Sequence, residues 1–301
     1  MPRATLPSGI ELEYETFGSP DDPTLLLVMG LAAQLTMWDE RLCEMFASRG
    51  LQVVRFDNRD CGLSTKFDGQ SVDPMAVVSA VRDGGPVPSV PYTLSDMAAD
   101  AVGLLDHLGV ERAHVLGASL GGMIVQTMAI EHPARMASMT SVMSMPGDPD
   151  VGRPTPEAME ALLAPPPTER EAFIEAAERS LTWASKRYGD PDRLRANAAR
   201  DFDRSFYPDG APRQLAAIYA DGDRSERLAA IDVPTLVIHG RDDTLIDPSG
   251  GGRTAEVIPG ARLVMVDDMG HDLPEPLWPS FVNTVTGHIA ANDPAVDSST
   301  V

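Results

Sequence analysis

Disulfide chemistry has little to work with in this chain: two cysteines, Cys43 and Cys61, in 301 residues provide no disulfide framework. They read as reduced structural thiols, as expected inside a cell. Long apolar runs are absent as well, and none approaches the ~20 residues that would span a bilayer. The opening MPRATLPSGIELEY has neither a basic n-region nor an apolar h-region, so no secretory signal is visible. Together these absences lead to the expectation of a soluble, cytoplasmic protein with no membrane span.

Positive charge is scarce too. Lys and Arg number 24 against 45 Asp and Glu, a formal charge of −21. Nucleic acid and anionic membrane surfaces repel such an exterior, so neither is expected as a standing partner. The six histidines show no metal-ligand spacing, and no internal repeat or low-complexity tract interrupts the chain. Apolar residues at 43% can fill a sizeable core, while charged residues at 23% are ordinary. Nothing in this balance suggests overall disorder.

The pentapeptide GASLG at 117–121 lies between the apolar run AHVLGAS and the helical pattern LGGMIVQTMAIEHP. Ser119 therefore falls on a sharp strand-to-helix turn, the setting of a G-x-S-x-G nucleophile elbow. Small residues at Gly117 and Gly121 let strand and helix approach while the serine hydroxyl is pushed outward. A Gly-rich turn with an incidental serine is the plain alternative. Two further motifs lie after strand-like runs: PTLVIHGRDD, with Asp243 just past the strand end at Gly240, and ARLVMVDDMGHDLP, with His271. In open α/β sheets ligands bind at the carboxyl edge of the strands. Each residue has an ordinary reading, a turn aspartate or a capping histidine. Their chain order, Ser119 then Asp243 then His271, is that of the α/β-hydrolases.

Organisation along the chain supports one α/β core with an insertion. A hairpin turns at Ser8-Gly9, the strand TLLLVMG follows, then an amphipathic helix from about Trp38 to Arg49 and the strand LQVVRFD. The stretch from Asn58 to Pro91 has little periodicity and reads as an active-site wall. A helix spans about Ser95 to Leu108, and the strand MASMTSVMSM ends at Pro146-Gly147. Core segments are expected at 1–147 and 228–291, a helical cap or lid at 148–227, and a frayed tail at 292–301. Within the cap, Thr168 and Asp190 read as helix starts. Placed over the strand ends, the insertion is expected to govern access and choice of acyl chain more than the chemical step.

Five motifs in order, VMGLAAQLTMW, FDNRDCGLST, GASLGG, HGRDD and MGHDLP, resemble those of the α/β-hydrolase superfamily across nearly the whole chain. Within it the chain resembles the bacterial lipase and esterase branch that includes aclacinomycin methylesterase. The resemblance implies a mostly parallel eight-stranded sheet flanked by helices, with an inserted helical cap. It implies a serine hydrolase acting on a small-molecule ester through an acyl-enzyme, with no cofactor and no metal. Ser119 would be the nucleophile, His271 the base and Asp243 the acid, with the backbone N–H groups of Leu31 and Leu120 as oxyanion donors. Asp60 stands where the commoner D-x-R-G-x-G-x-S pattern has glycine, a mark of the named branch.

Other residues compete for these roles. Asp242 adjoins Asp243, but spacing in the superfamily favours the later position; Asp148 is a rarer acid site. Asp267 and Asp268 read as loop charges, and His107, His114, His132, His239 and His288 as packing or capping groups. Met29, Met37, Met123, Met143 and Met145 lie near strand ends or the elbow helix and either line an adaptable apolar pocket or fill core. Trp38, Met123 and Met145 are the substrate-binding candidates. The same groups would serve a perhydrolase, thioesterase, carbon–carbon hydrolase or acyltransferase. From a different class, the fold could serve as a non-catalytic ligand receptor.

Overall fold

A computed structural model describes residues 2–293. Eight strands form one sheet in the order β1-β2-β4-β3-β5-β6-β7-β8. The first two, β1 (Arg3–Thr5) and β2 (Glu11–Phe17), pair antiparallel, and β2 runs antiparallel to β4 (Gln52–Phe56) with Tyr14 opposite Phe56. All later pairs, among β3 (Thr24–Val28), β4, β5 (Ala113–Ala118), β6 (Met136–Val142), β7 (Thr235–Gly240) and β8 (Arg262–Val266), are parallel. Strands β3 through β7 are buried along their whole length. A parallel sheet covered on both faces requires this, and it explains the unbroken apolar runs in the sequence.

The two-residue strand period sorts the core into two layers. Leu25, Leu27, Val53 and Leu116 pack with Leu42 and Phe46 of α1 (Glu40–Ala47) and Phe281 and Val285 of α11 (Trp278–Asn292). On the other face, Leu26, Val28, Val54 and Val115 pack with Met97 and Leu104 of α3 (Leu94–His107) and Ile124 and Met128 of α4 (Leu120–Glu131). Loops at the carboxyl ends of β3, β5, β7 and β8 therefore converge on one edge.

Several boundaries differ from expectation. The helix expected from Trp38 begins at Glu40, because the Asp39 side chain accepts from the Arg41 N–H and caps it. The 58–91 stretch contains a helix, α2 (Pro74–Arg82), capped by Asp73 with Pro74 in its first turn. The sixth strand stops at Val142, since Met143 takes φ 41°. A further helix, α10 (Ser249–Val257), forms from SGGGRTAEV despite its three glycines.

Between β6 and β7 the chain forms α5 (Pro156–Leu163), α6 (Arg170–Ala176), α7 (Pro191–Ser205), α8 (Gly210–Asp221) and α9 (Ser225–Leu228). Asp190 caps α7 by accepting from the N–H groups of Asp192 and Arg193. Thr168 does not cap α6, which has no side-chain cap, whereas Thr155 caps α5 by accepting from the Ala158 N–H. Of the tail expected at 292–301, Asn292 ends α11, and 294–301 lie outside the described residues.

Candidate active site

Ser119 sits between the last residue of β5 and the first of α4, at φ 57° and ψ −121°. A non-glycine residue at positive φ is strained and persists only where its surroundings hold it. They do so on three sides. The Ser119 N–H donates to Val142 O at 2.9 Å, and the Ser119 carbonyl accepts from Ser144 Oγ at 2.8 Å. A β-carbon at Gly117 would collide with the Gly121 carbonyl, and one at Gly121 with the Val28 carbonyl, so the turn closes only with glycine at both positions.

From Ser119 a hydrogen-bonded relay runs inward. His271 Nε2 lies 2.9 Å from Ser119 Oγ, and His271 Nδ1 lies 2.7 Å from Asp243 Oδ2. Asp243 follows β7, and its other oxygen accepts from the N–H groups of Leu245 and Ile246, both at 2.9 Å. Burial pushes the Asp243 carboxyl up, but the charge of His271 and hydrogen bonds from His239 and His271 outweigh it and hold the group at about 2.

That depressed value has a stability consequence. An unfolded Asp titrates near 3.9, so the contribution is complete above about pH 4 and is lost as pH falls through the folded value. Compared with Asp243→Asn, the wild type is expected to lose about 2 kcal/mol between pH 5 and pH 2 in urea unfolding. A pH-independent difference between the two proteins would refute the depression.

His239, which the sequence suggested only for packing or capping, is fully buried beside this acid. Its Nε2 lies 2.8 Å from Ile246 O and 3.3 Å from Asp243 Oδ2. The other acids are engaged elsewhere: Asp242 with Lys186, Asp148 with Arg253, Asp267 with Arg241 and Asp268 with Arg187. His107 packs edge-on against Tyr14, His114 bonds Ser138 Oγ, and His132 ends α4. Burial pushes the His288 imidazole down to about 4.

The loop after β3 passes directly over the serine. A β-carbon at Gly30 would lie 3.2 Å from Ser119 Cβ, so the Gly30-Leu31 backbone borders the space above the hydroxyl. Leu120 contributes the first N–H of α4, a group a helix leaves without an intrahelical acceptor. Asn58 Nδ2 donates to Met29 O at 2.9 Å, and the Ala32 N–H donates to Gln214 Oε1 at 2.8 Å. Neither polar support stood out in the sequence.

Asp60 has φ 65°, which explains why glycine suits this position and why aspartate, tolerant of left-handed backbone, can replace it. Its carboxylate accepts from Arg213 on α8 at 2.6 and 3.0 Å, from Tyr92 OH at 2.7 Å and from Phe67 N–H at 2.9 Å. Further bonds tie the segment before α7 to the relay. His271 N–H donates to Trp183 O at 2.6 Å, Ser185 N–H to Asp272 at 2.9 Å and Thr244 Oγ1 to Thr182 O at 2.8 Å.

Trp38 is 3% exposed in the layer against α1, and Met123 is 5% exposed in the layer against α4. Met145 is partly buried beside Gly152. Met37 lies outward, at 42% exposure. No helix among the described residues is long and apolar enough to cross a membrane.

A doubly covered parallel sheet with a strained serine after β5 and an Asp–His pair after β7 and β8 defines a class. The chain belongs to the α/β-hydrolase fold family, whose model matches residues 23–275. Among curated proteins it is 28% identical to rhodomycin D methylesterase DauP of Streptomyces sp. (strain C5), over 94% of this chain and 96% of that protein. It is 26% identical to rhodomycin D methylesterase DnrP of Streptomyces peucetius, with the same coverage. Among solved structures, the enol-lactonase from Burkholderia xenovorans LB400 superposes with a TM-score of 0.71 at 25% identity, covering 96% of this chain and all of that one.

Proposed function

We propose that the protein is a serine hydrolase of carboxylic esters, acting through an acyl-enzyme. The observation that carries this reading is the unbroken relay Asp243–His271–Ser119, with distances of 2.7 and 2.9 Å. A serine hydroxyl is poorly ionised at neutral pH and needs an adjacent base, the role of His271 Nε2. Asp243 fixes the tautomer that puts the proton on Nδ1 and stabilises the imidazolium formed on attack. The tetrahedral oxyanion is received by the N–H groups of Leu31 and Leu120. Loss of one such donor typically costs about 2.7–4 kcal/mol of transition-state stabilisation. The leaving alcohol takes its proton from His271, which then activates water against the acyl-enzyme.

Similarity to two rhodomycin D methylesterases and an enol-lactonase favours an ester or lactone of a small to medium apolar molecule, with the methyl ester of rhodomycin D tried first. In this reading Met145, Met123 and Trp38 line the acyl pocket, and the helices of 148–227 form its cap. A p-nitrophenyl ester series, run with rhodomycin D, a thioester and a peroxide assay, is the test. Hydrolysis of rhodomycin D or of the oxygen esters, with fluorophosphonate labelling confined to Ser119, is expected. Binding of apolar ligands without turnover or labelling would favour a receptor instead.

A further inference from the structure

The loop that borders Ser119 is held from both ends by side-chain amides from elsewhere. At its start, Asn58 holds the Met29 carbonyl; at its end, Gln214 holds the Ala32 N–H. Gln214 reaches there from α8, some 180 residues later in the chain, and its amide is fully buried. A buried amide needs partners for both its donor and its acceptor. Both partners here are core backbone: Oε1 accepts from Ala32 N–H at 2.8 Å, and Nε2 donates to Arg59 O at 2.9 Å.

Ala32 is the third residue of a turn closed by Ala33 N–H donating to Gly30 O, and it has φ 54°. A positive φ at that turn position ordinarily calls for glycine or asparagine, so alanine there is strained and needs an external partner to hold it. The adjacent Arg213 pins the same part of α8 to the core through Asp60 and the Gln70 carbonyl.

We infer that Gln214 is a positioning residue for the oxyanion-binding loop, so that α8 takes part in the chemical step as well as covering the site. The inference rests on the reading of Ser119 as nucleophile. Without the Gln214 acceptor, Ala32 relaxes toward negative φ and the Leu31-Ala32 peptide rotates. The Gly30-Leu31 backbone above Ser119 moves with it. Such a shift weakens binding of the oxyanion and leaves ground-state binding of the ester nearly intact, so the loss falls on kcat rather than KM.

The test uses the full chain and p-nitrophenyl butyrate, with five proteins: wild type, Gln214→Met, Gln214→Glu, the double variant Gln214→Met with Ala32→Gly, and Ser205→Ala. Gln214→Met keeps the volume but offers Ala32 only a weak thioether acceptor and Arg59 O no donor, and its kcat is expected to fall about ten- to hundredfold, with KM changed less than about twofold. Gln214→Glu retains an acceptor for Ala32 and, with its buried carboxyl protonated, a donor for the Arg59 carbonyl, so it should keep more of kcat than Gln214→Met and gain on it as pH falls. Ala32→Gly should restore at least about tenfold to Gln214→Met, because glycine takes positive φ without strain. Ser205→Ala removes a bond from α7 to the Gly62 carbonyl but keeps the backbone bond by which Ser205 O accepts from Gln34 Nε2, and should leave kcat unchanged.

An unaltered kcat in folded Gln214→Met, a loss confined to KM, or no recovery with Ala32→Gly would each overturn the inference. If Gln214→Met does not fold, Gln214→Asn makes the same comparison, its amide being one methylene too short to bridge Ala32 and Arg59. A wild type that neither turns over esters nor labels at Ser119 would overturn the underlying reading, and this inference with it.

Discussion

Ser119→Ala is expected to abolish ester turnover, with a loss in kcat approaching about 10⁶-fold, the scale seen when a serine hydrolase loses its nucleophile. Thermal unfolding should hardly change. The substitution removes one hydroxyl whose side-chain partner is His271 Nε2, and it keeps the β-carbon, so the backbone strain at φ 57° is untouched. Ser119→Gly makes a useful companion: equally inactive, but more stable than wild type, because glycine accepts positive φ. Rate measurements with p-nitrophenyl butyrate and melting curves on all three proteins decide the matter. Wild-type turnover by folded Ser119→Ala would remove Ser119 as nucleophile.

Asp243→Asn should rank second, lowering kcat by about 10⁴-fold, as when a triad histidine loses the tautomer its acid imposes. The amide could still accept from Leu245 and Ile246 through its oxygen, but it would turn an N–H toward His271 Nδ1. The ring would then carry its proton on Nε2, where it cannot take one from Ser119. Asp242→Asn should have little effect, because that carboxylate faces Lys186. The opposite ranking in steady-state kinetics would move the acid by one residue.

The succession of strands along the chain and the strand-to-helix turn at Ser119 were legible because their requirements are local. Close approach at Gly117 and Gly121 demands small residues at fixed spacing, and buried parallel strands demand continuous apolar runs. The helices α2 and α10 were missed because glycine, proline and polar residues dilute the helical period, and tertiary packing makes up the deficit. Asp60 stood out as an unusual residue, but its partner Arg213 lies 153 positions away, and nothing local in the sequence pairs them. Gln214 and Ala32 are 182 positions apart and neither matches a motif. His239 is a similar case: a histidine closing a buried strand signals packing, and only the folded turn brings it against Asp243.

The hydrogen bonds that join Thr182, Trp183 and Ser185 with Thr244, His271 and Asp272 bear on how this molecule could be recombined. By position in the chain these three residues lie among the helices between β6 and β7; by bonding they belong to the turns bearing Asp243 and His271. Gly270 reinforces the seam, since a β-carbon there would strike the chain from Trp183 to Ser185. An exchange of helices with a relative, cut cleanly at β6 and β7, would therefore replace the acceptor of the His271 N–H along with the helices themselves. A chimaera meant to exchange these helices without disturbing the relay has its natural crossover points inside the segment between β6 and β7, with 182–186 and 213–214 inherited from the parent that supplies the sheet.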